Sequence, residues 1–405
     1  MNAEVARVRI EELRLGGFRA FENARLTLDD VTVLVGRNGA GKSTIVDAFE
    51  FLREALTDSL ENALERRGGI QSVMRKGARS LALAVRLTLP PEYIRRVSRG
   101  TSARWARHPT NYEPVENFEA IYGFRLRTTK GGKGFFVADE VARCGGFSFT
   151  SEQASGSAEE APALSLPLTS TAALETRLVH EALLAASFAY KFSPSAIRAE
   201  PAIGRVVPLH RDGGNLGDVL KRVEKEKDDL TWIVRHLGAI TPGIVSLKSG
   251  TAAGRRIVQF LQSAGGAKTD RFEIGDMSDG TLRSLAILLA LRQTPTPALV
   301  CIDEIEDSVH PAALAVLLDA VSASTERCQV LLTSHSPEAL SHPAVTAARV
   351  RVAEWRDGRS EIFRLSPGAE QSSRPPRSVG TLLRTNALFT AESPERVEGD
   401  FFEGG

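Results

Sequence analysis

Between residues 7 and 35 apolar and polar positions alternate in short bursts. Arg7-Val8-Arg9-Ile10 sets the period, Leu13-Arg14-Leu15 and Leu26-Thr27-Leu28 repeat it, and Val31-Thr32-Val33-Leu34-Val35 runs into glycine. That spacing predicts strands. Helical spacing takes over in residues 43–56, and Leu81 to Leu89 alternates again until Pro90-Pro91 stops it. Beyond residue 91 the pattern breaks up. Residues 95–108 are rich in arginine, 118–149 suggest short strands about a Gly131-Gly132 turn, and 151–163 form a small, polar loop. Helical periodicity returns at 171–190 and 215–236. The clearest stretch comes last: helix 280–293, strand 298–302, helix 311–323, strand 328–333, then short strands near 347–353 and 361–365. Strands alternating with helices predict a parallel α/β sheet. Pro367 to Pro376 reads as a linker and 378–389 as a final short helix. No internal repeat stands out, and no heptad run is long enough for a coiled-coil arm.

Composition narrows the classes. Hydrophobic residues make up 42% and charged residues 25%, which excludes general disorder. The net charge of +1 means that any nucleic-acid site is a local patch. Cys144, Cys301 and Cys328 form no CxxC pair, which points to a reduced compartment without structural zinc. The opening MNAEVARVRIEELRL lacks a signal peptide's apolar core, and no run reaches membrane-spanning length. The expectation is a cytoplasmic protein with no membrane contact.

Gly36-Arg37-Asn38-Gly39-Ala40-Gly41-Lys42-Ser43 matches GxxxxGK[ST], with a strand ending at Val35 and a helix beginning at Ser43. The glycines let backbone N–H groups face phosphate oxygens. Lys42 neutralises the β/γ charge, the Ser43 hydroxyl joins a Mg²⁺ shell, and Thr44 completes the nucleotide-binding candidates. Ala298 to Ile302 is an apolar strand that delivers Asp303 and Glu304 to its C-terminal end. Asp303 is the second candidate metal ligand, and Glu304 the group that orients or deprotonates an attacking water. Their distance from Lys42 along the chain implies a large insertion between the two halves of the site.

Two further segments narrow the class. Met277-Ser278-Asp279-Gly280-Thr281, just before an apolar helix, aligns with the LSGGQ-type signature and keeps its Ser and second Gly. A hydroxyl and free N–H groups at a helix start suit a γ-phosphate offered by a second subunit; Ser278 also suits a plain N-cap. Leu331-Leu332-Thr333-Ser334-His335 places a histidine after a buried strand, a position that resembles that of the switch histidine with which ABC ATPases touch the γ-phosphate.

With these pieces in order the chain resembles the RecF/OLD/SMC-like branch of the ABC ATPases, and more narrowly the compact prokaryotic "AAA family ATPases" of phage-defence and retron operons. The resemblance includes Gly17-Phe18-Arg19-Ala20-Phe21, Asp212-Gly213-Gly214-Asn215-Leu216, and Asp303 through Pro311. It implies an ABC-type P-loop NTPase head of α/β class, with a mixed sheet and an inserted α+β lobe. The expected segments are 1–90 (first part of the head), 91–239 (inserted lobe), 240–366 (second part) and 367–405 (linker and tail). It further implies an ATP- and Mg²⁺-dependent ATPase with Glu304, His335 and Lys42 as catalytic residues, and a homodimer closed across ATP in which Ser278 and Gly280 face the other subunit's nucleotide. By the same resemblance Phe18 and Arg19 lie near the nucleotide, or FRAF is simply an amphipathic strand. Asn215 either belongs to a DGxNL turn or N-caps a helix. Arg75-Lys76-Gly77-Ala78 is either a phosphate-sensing loop or a solvated basic turn.

Departures matter as well. His310 stands where transporters keep an aspartate, and no glutamine is assignable to a Q-loop, Gln71 and Gln153 being candidates by position alone. The stretch after His335 is shorter than the Toprim domain of OLD nucleases, so the resemblance implies no DNA cleavage by this chain. Control of a separate nuclease or toxin, or of DNA engagement, is the implied output; a non-hydrolysing sensor and a RecF-like repair protein are the alternatives. Arg95, Arg96, Arg99, Arg104 and Arg107, interleaved with Tyr93, Trp105 and Tyr112, are either a nucleic-acid contact or a solvated basic loop.

Overall fold

The computed structural model describes residues 7–99, 116–129, 134–152, 163–169, 174–199, 208–252, 254–263, 265, 268–373, 378–385 and 390–403. In chain order the strands are β1 (Arg9–Phe18), β2 (Phe21–Thr27), β3 (Val31–Val35), β4 (Leu81–Leu89), β5 (Phe118–Thr128), β6 (Phe135–Cys144), β7 (Phe147–Glu152), β8 (Ser187–Tyr190), β9 (Ile244–Ala252), β10 (Arg255–Ser263), β11 (Thr269–Glu273), β12 (Leu299–Ile302), β13 (Gln329–Ser334), β14 (Val350–Arg356) and β15 (Arg359–Arg364).

Among the described residues, twelve of these form one mixed sheet in the order β7-β6-β5-β4-β1-β2-β15-β14-β3-β13-β12-β8. β14, β3, β13, β12 and β8 run parallel, while β7 through β2 pair antiparallel. The parallel strands need cover on both faces, and β3, β12 and β13 are buried at every position. The helix Lys42–Thr57 covers one face with Ile45, Phe49 and Leu52. On the other lies the helix Asp279–Arg292, whose residues 281–291 are all buried. A helix apolar all round has to sit inside. The small sheet β11-β10-β9 packs against the helices Leu216–Val223 and Lys227–Ile240.

Three readings of the pattern change. The helical period at 171–190 ends at Ala186, and Ser187–Tyr190 is instead β8, paired residue for residue with Leu299–Ile302. Four residues beside a buried strand satisfy their backbone groups better in that ladder than in another helical turn. The segment 118–149 is not a set of short strands: β5 and β6 are long and continue the main sheet, so residues 91–239 supply β5–β8 to it. The linker at Pro367 begins with a helix, Pro367–Ser372. Ser366 Oγ accepts from Ala369 N at 3.2 Å and proline takes the first turn, where its missing N–H costs nothing.

The C-terminal segment straps back over the antiparallel half. Arg25 N donates to Glu395 O at 3.0 Å, Asn23 Nδ2 to Val397 O at 3.0 Å and Arg14 Nη1 to Phe401 O at 3.0 Å. Phe402 is buried against Ala84 and Val141. Phe402→Ala should destabilise the protein by about 3 kcal/mol, since the truncation removes a ring from a packed site. A urea melt with an unchanged midpoint would show that the strap contributes nothing.

Candidate functional site

The parallel register brings the chemistry to one edge. Val35 lies beside Ser334 and Val352, and Ile302 beside Leu332 and Tyr190. The residues that follow, Gly36, His335, Asp303 and Lys191, therefore leave the sheet together at its C-terminal edge, where open α/β sheets bind ligands.

The loop Gly36–Ser43 is shaped by what lies behind it. Gly36 (φ 152°) passes so close to β14 that a Cβ would come within 2.2 Å of Ala353 O. Gly41 (φ 101°) faces the Phe21 ring and Ser360 Oγ, each 2.9 Å from where its Cβ would be. No other residue fits either position. The helix Lys42–Thr57 starts at Gly41 without a side-chain cap, leaving its first N–H groups for an anion. Arg37, Asn38 and Gly39 are exposed, Ala40 is buried, and Thr44 N returns to Gly41 O at 3.1 Å. Lys42 Nζ donates to Gly36 O at 2.8 Å and Arg37 O at 3.1 Å. Burial pushes its pKa below the usual lysine value, against the opposing pull of Glu304, Glu306 and Asp303.

Asp303 is the buried centre of the edge. Its Oδ1 accepts from Thr333 Oγ1 at 2.6 Å and from Ser43 Oγ at 3.2 Å, a partner 260 positions away in sequence. Ser43 and Asp303 thus offer hard oxygen donors side by side, which suits Mg²⁺. No cluster of three or more His, Cys, Asp or Glu that could hold a metal occurs among the described residues, so phosphate oxygens and water would complete such a shell.

Glu304 sits in the left-handed region at φ 52°. Its N donates to Thr333 Oγ1 at 2.7 Å and its carbonyl accepts from Arg283 Nη2 at 2.6 Å. An unusual backbone held from both sides is how a fold aims one side chain. The carboxylate is part-exposed, 3.9 Å from Lys191 Nζ. His335 is exposed at the same edge; its N donates to Glu306 Oε1 at 2.6 Å and its Nδ1 lies 3.0 Å from that oxygen. Glu306 Oε2 is buried without a partner.

Ser278 Oγ accepts from Thr281 N at 3.2 Å, so it does cap its helix. Gly280 packs against the loop after β12, where a Cβ would come within 2.7 Å of Ser308 O. Arg198 anchors the turn, donating to Met277 O at 2.7 Å and pairing with Asp279 at 2.6 Å. Among the described residues no hydrogen bond joins Ser278 or Gly280 to the loop Gly36–Ser43.

Sequence reasoning passed over four contributors. Lys191 ends β8 and approaches Asp303 Oδ2 at 3.8 Å. Thr333 bridges Asp303 and Glu304, and Glu306 holds His335. Arg283, fully buried, donates to the carbonyls of Phe192 and Asp303 at 3.0 Å each, besides that of Glu304; burial pushes its pKa down. An arginine in the first half of a largely apolar helix was the available signal for it.

The open readings resolve unevenly. Phe18 is core, and Arg19 pairs with Asp47 on the Lys42–Thr57 helix at 2.8 Å. Asn215 stands at the N-cap of the helix Leu216–Val223 without a side-chain cap bond; its amide instead closes the preceding turn, accepting from His210 N at 2.7 Å and donating to Pro208 O at 3.0 Å. Arg75 donates to Ala20 O at 3.2 Å and Gly358 O at 3.0 Å, while Lys76 and Gly77 are exposed. His310 caps the helix Pro311–Ser322. Gln71 lies on the helix Ile70–Val73. Tyr93 is buried, its hydroxyl on Leu178 O at 2.9 Å, and so offers no stacking face. Arg95 pairs with Glu92 at 2.8 Å. Arg104, Trp105, Arg107, Tyr112, Gln153 and the Arg99 side chain lie outside the described residues.

Residues 9–91 match the protein family described as "AAA ATPase domain", and residues 194–341 the one described as "AAA domain, putative AbiEii toxin, Type IV TA system". No curated protein sequence matches the chain. Among solved structures the fold is similar to an Smc head bound to the C-winged helix domain of ScpA, at 15% identity and a TM-score of 0.52, covering 89% of this chain and 98% of that one. The Pyrococcus furiosus Smc head with an extended coiled coil, bound to the C-terminal domain of ScpA, gives 15% identity, a TM-score of 0.51 and coverage of 90% and 98%. The Pyrococcus yayanosii Smc head with a coiled coil and joint gives 12%, 0.51, 94% and 99%.

Thr333→Val keeps the shape but deletes both hydroxyl bonds, leaving Asp303 Oδ1 and Glu304 N short of partners. It should cost about 1–3 kcal/mol in denaturant unfolding, with Thr333→Ser close to wild type. Equal stability of Thr333→Val and wild type would mean that the bridge carries no weight.

Proposed function

We propose that this ABC-class ATPase head of the SMC/RecF-like type binds ATP with Mg²⁺ and hydrolyses it as a nucleotide-gated dimer. One observation carries the reading: Ser43 Oγ lies 3.2 Å from Asp303 Oδ1, so the phosphate loop and the acidic strand end, far apart in sequence, form one site.

In this reading the backbone N–H groups of residues 36–44 receive the phosphates. Lys42 gives up its loop carbonyls for the β/γ oxygens. Ser43 and Asp303 would hold Mg²⁺, which would supply positive charge to offset that of the phosphates. Glu304, aimed by its left-handed backbone, takes the proton of the attacking water, and His335, oriented by Glu306, contacts the γ-phosphate. The partner subunit's Ser278 and Gly280 close the pocket from across an isologous interface.

Arg283 and the Gly280–Ser308 contact support coupling between the two surfaces, because both join the Ser278 turn to the loop bearing Glu304. The family described with a toxin–antitoxin role and the ScpA-bound Smc heads favour an output through a partner protein, such as a nuclease or toxin effector, or through nucleic acid. Phage defence or DNA repair, in the cytoplasm, is the setting we propose. No helix among the described residues is long and apolar enough to cross a membrane.

Lys42→Ala should weaken ATP binding in calorimetry without unfolding the chain. Glu304→Gln keeps the shape but takes no proton, so turnover should fall about 10²–10⁴-fold with ATP still bound. That stalled protein should accumulate as an ATP-dependent dimer in light scattering, and adding Ser278→Arg should return it to monomer. Full ATPase activity in Glu304→Gln would remove the assigned base. A stalled protein whose mass ignores ATP would discard the dimer and leave the hydrolytic site standing.

A further inference from the structure

The strand order gives the nucleotide site a direction. Asp303 and Glu304 follow β12 and His335 follows β13, all on one side of the loop that follows β3. On the other side stand β14 and β15. A nucleotide whose terminal phosphate meets the acids and the histidine therefore runs its nucleoside toward the β14–β15 hairpin.

That hairpin carries an unexplained side chain. Trp355 is 56% exposed, and only Val245 shares that condition among the large apolar residues described. It pairs across the hairpin with Ser360. Directly opposed residues point to the same face with Cβ atoms about 5 Å apart. Ser360 is itself buried, its hydroxyl has no partner, and it lies 2.9 Å from the Cβ position of Gly41. The indole is thus one cross-strand step from the phosphate loop.

The support beneath it is fixed. Gly36 packs on Ala353 O, Arg75 donates to Gly358 O at 3.0 Å, and the Arg356 guanidinium lies over the Phe363 ring at 4.2 Å. A large aromatic held on a rigid turn, exposed beside a phosphate site and on its nucleoside side, matches a flat π-face better than a solvated position.

We infer that Trp355 is the platform on which the purine base of the bound nucleotide stacks. The inference rests on the ATP-binding reading above and adds the base subsite to it. Stacking acts on the base alone, so it separates cleanly from the phosphate contacts.

Calorimetry on the full chain with Mg²⁺ tests it, using ATP and inorganic tripolyphosphate as probes. Trp355→Ala should weaken ATP about tenfold, Trp355→Phe should recover most of that loss, and tripolyphosphate should bind all three proteins equally. Unchanged ATP affinity in Trp355→Ala overturns the platform and leaves the phosphate site intact; the indole would then belong to a protein interface. Equal weakening of tripolyphosphate also overturns it, because the substitution would have disturbed the loop. A wild-type protein that binds neither probe removes the ATP reading, and this inference with it.

Discussion

A carboxylate buried without partners is too costly to keep, and Asp303 meets that constraint at the centre of this molecule. Its side chain is 1% exposed and takes hydrogen bonds from the first turn after the phosphate loop and from the end of β13. Those two donors come from opposite ends of the sequence. Satisfying one charge therefore fixes β3, β13 and β12 as neighbours at matched height. Every other group of the edge then follows from where those strands stop: Lys191 from β8, Glu304 from the next residue, His335 from β13.

The buried helix Asp279–Arg292 adds a second constraint. Its Arg283 spends its donors on backbone carbonyls at Phe192, Asp303 and Glu304. Acceptors of that kind record the position of the main chain itself. A shift of the helix start at Ser278 has to be matched by the loop at Glu304, or buried carbonyls lose their partners.

Much of this was legible beforehand. The phosphate loop, the acidic strand end and His335 carry residue types tied to local patterns, glycine spacing and an apolar strand before a polar end, and the βαβ rhythm placed them on one edge. Thr333 and Glu306 were not legible because a threonine in a strand and a third acid after two others have many ordinary explanations. Lys191 was hidden for another reason. Its importance comes from β8 lying beside β12, and Ser187-Phe188-Ala189-Tyr190 at the end of a helical pattern looks like more helix. Trp355 becomes meaningful only once the sheet order gives the site two sides.

The same sheet order has a consequence for how the chain comes into being. β3 is synthesised well before its neighbours β13 and β14, which lie about 300 residues later. At roughly 5–20 residues per second, the strand that ends in the phosphate loop waits on the order of tens of seconds without its partners. Its five residues, Val31-Thr32-Val33-Leu34-Val35, are the kind of apolar edge that pairs with whatever strand arrives first. The antiparallel β1–β2 and β4 can form meanwhile, but they reach β3 only through β15, which is later still. The C-terminal edge of the parallel strands can therefore close only after β13 and β14 have been made.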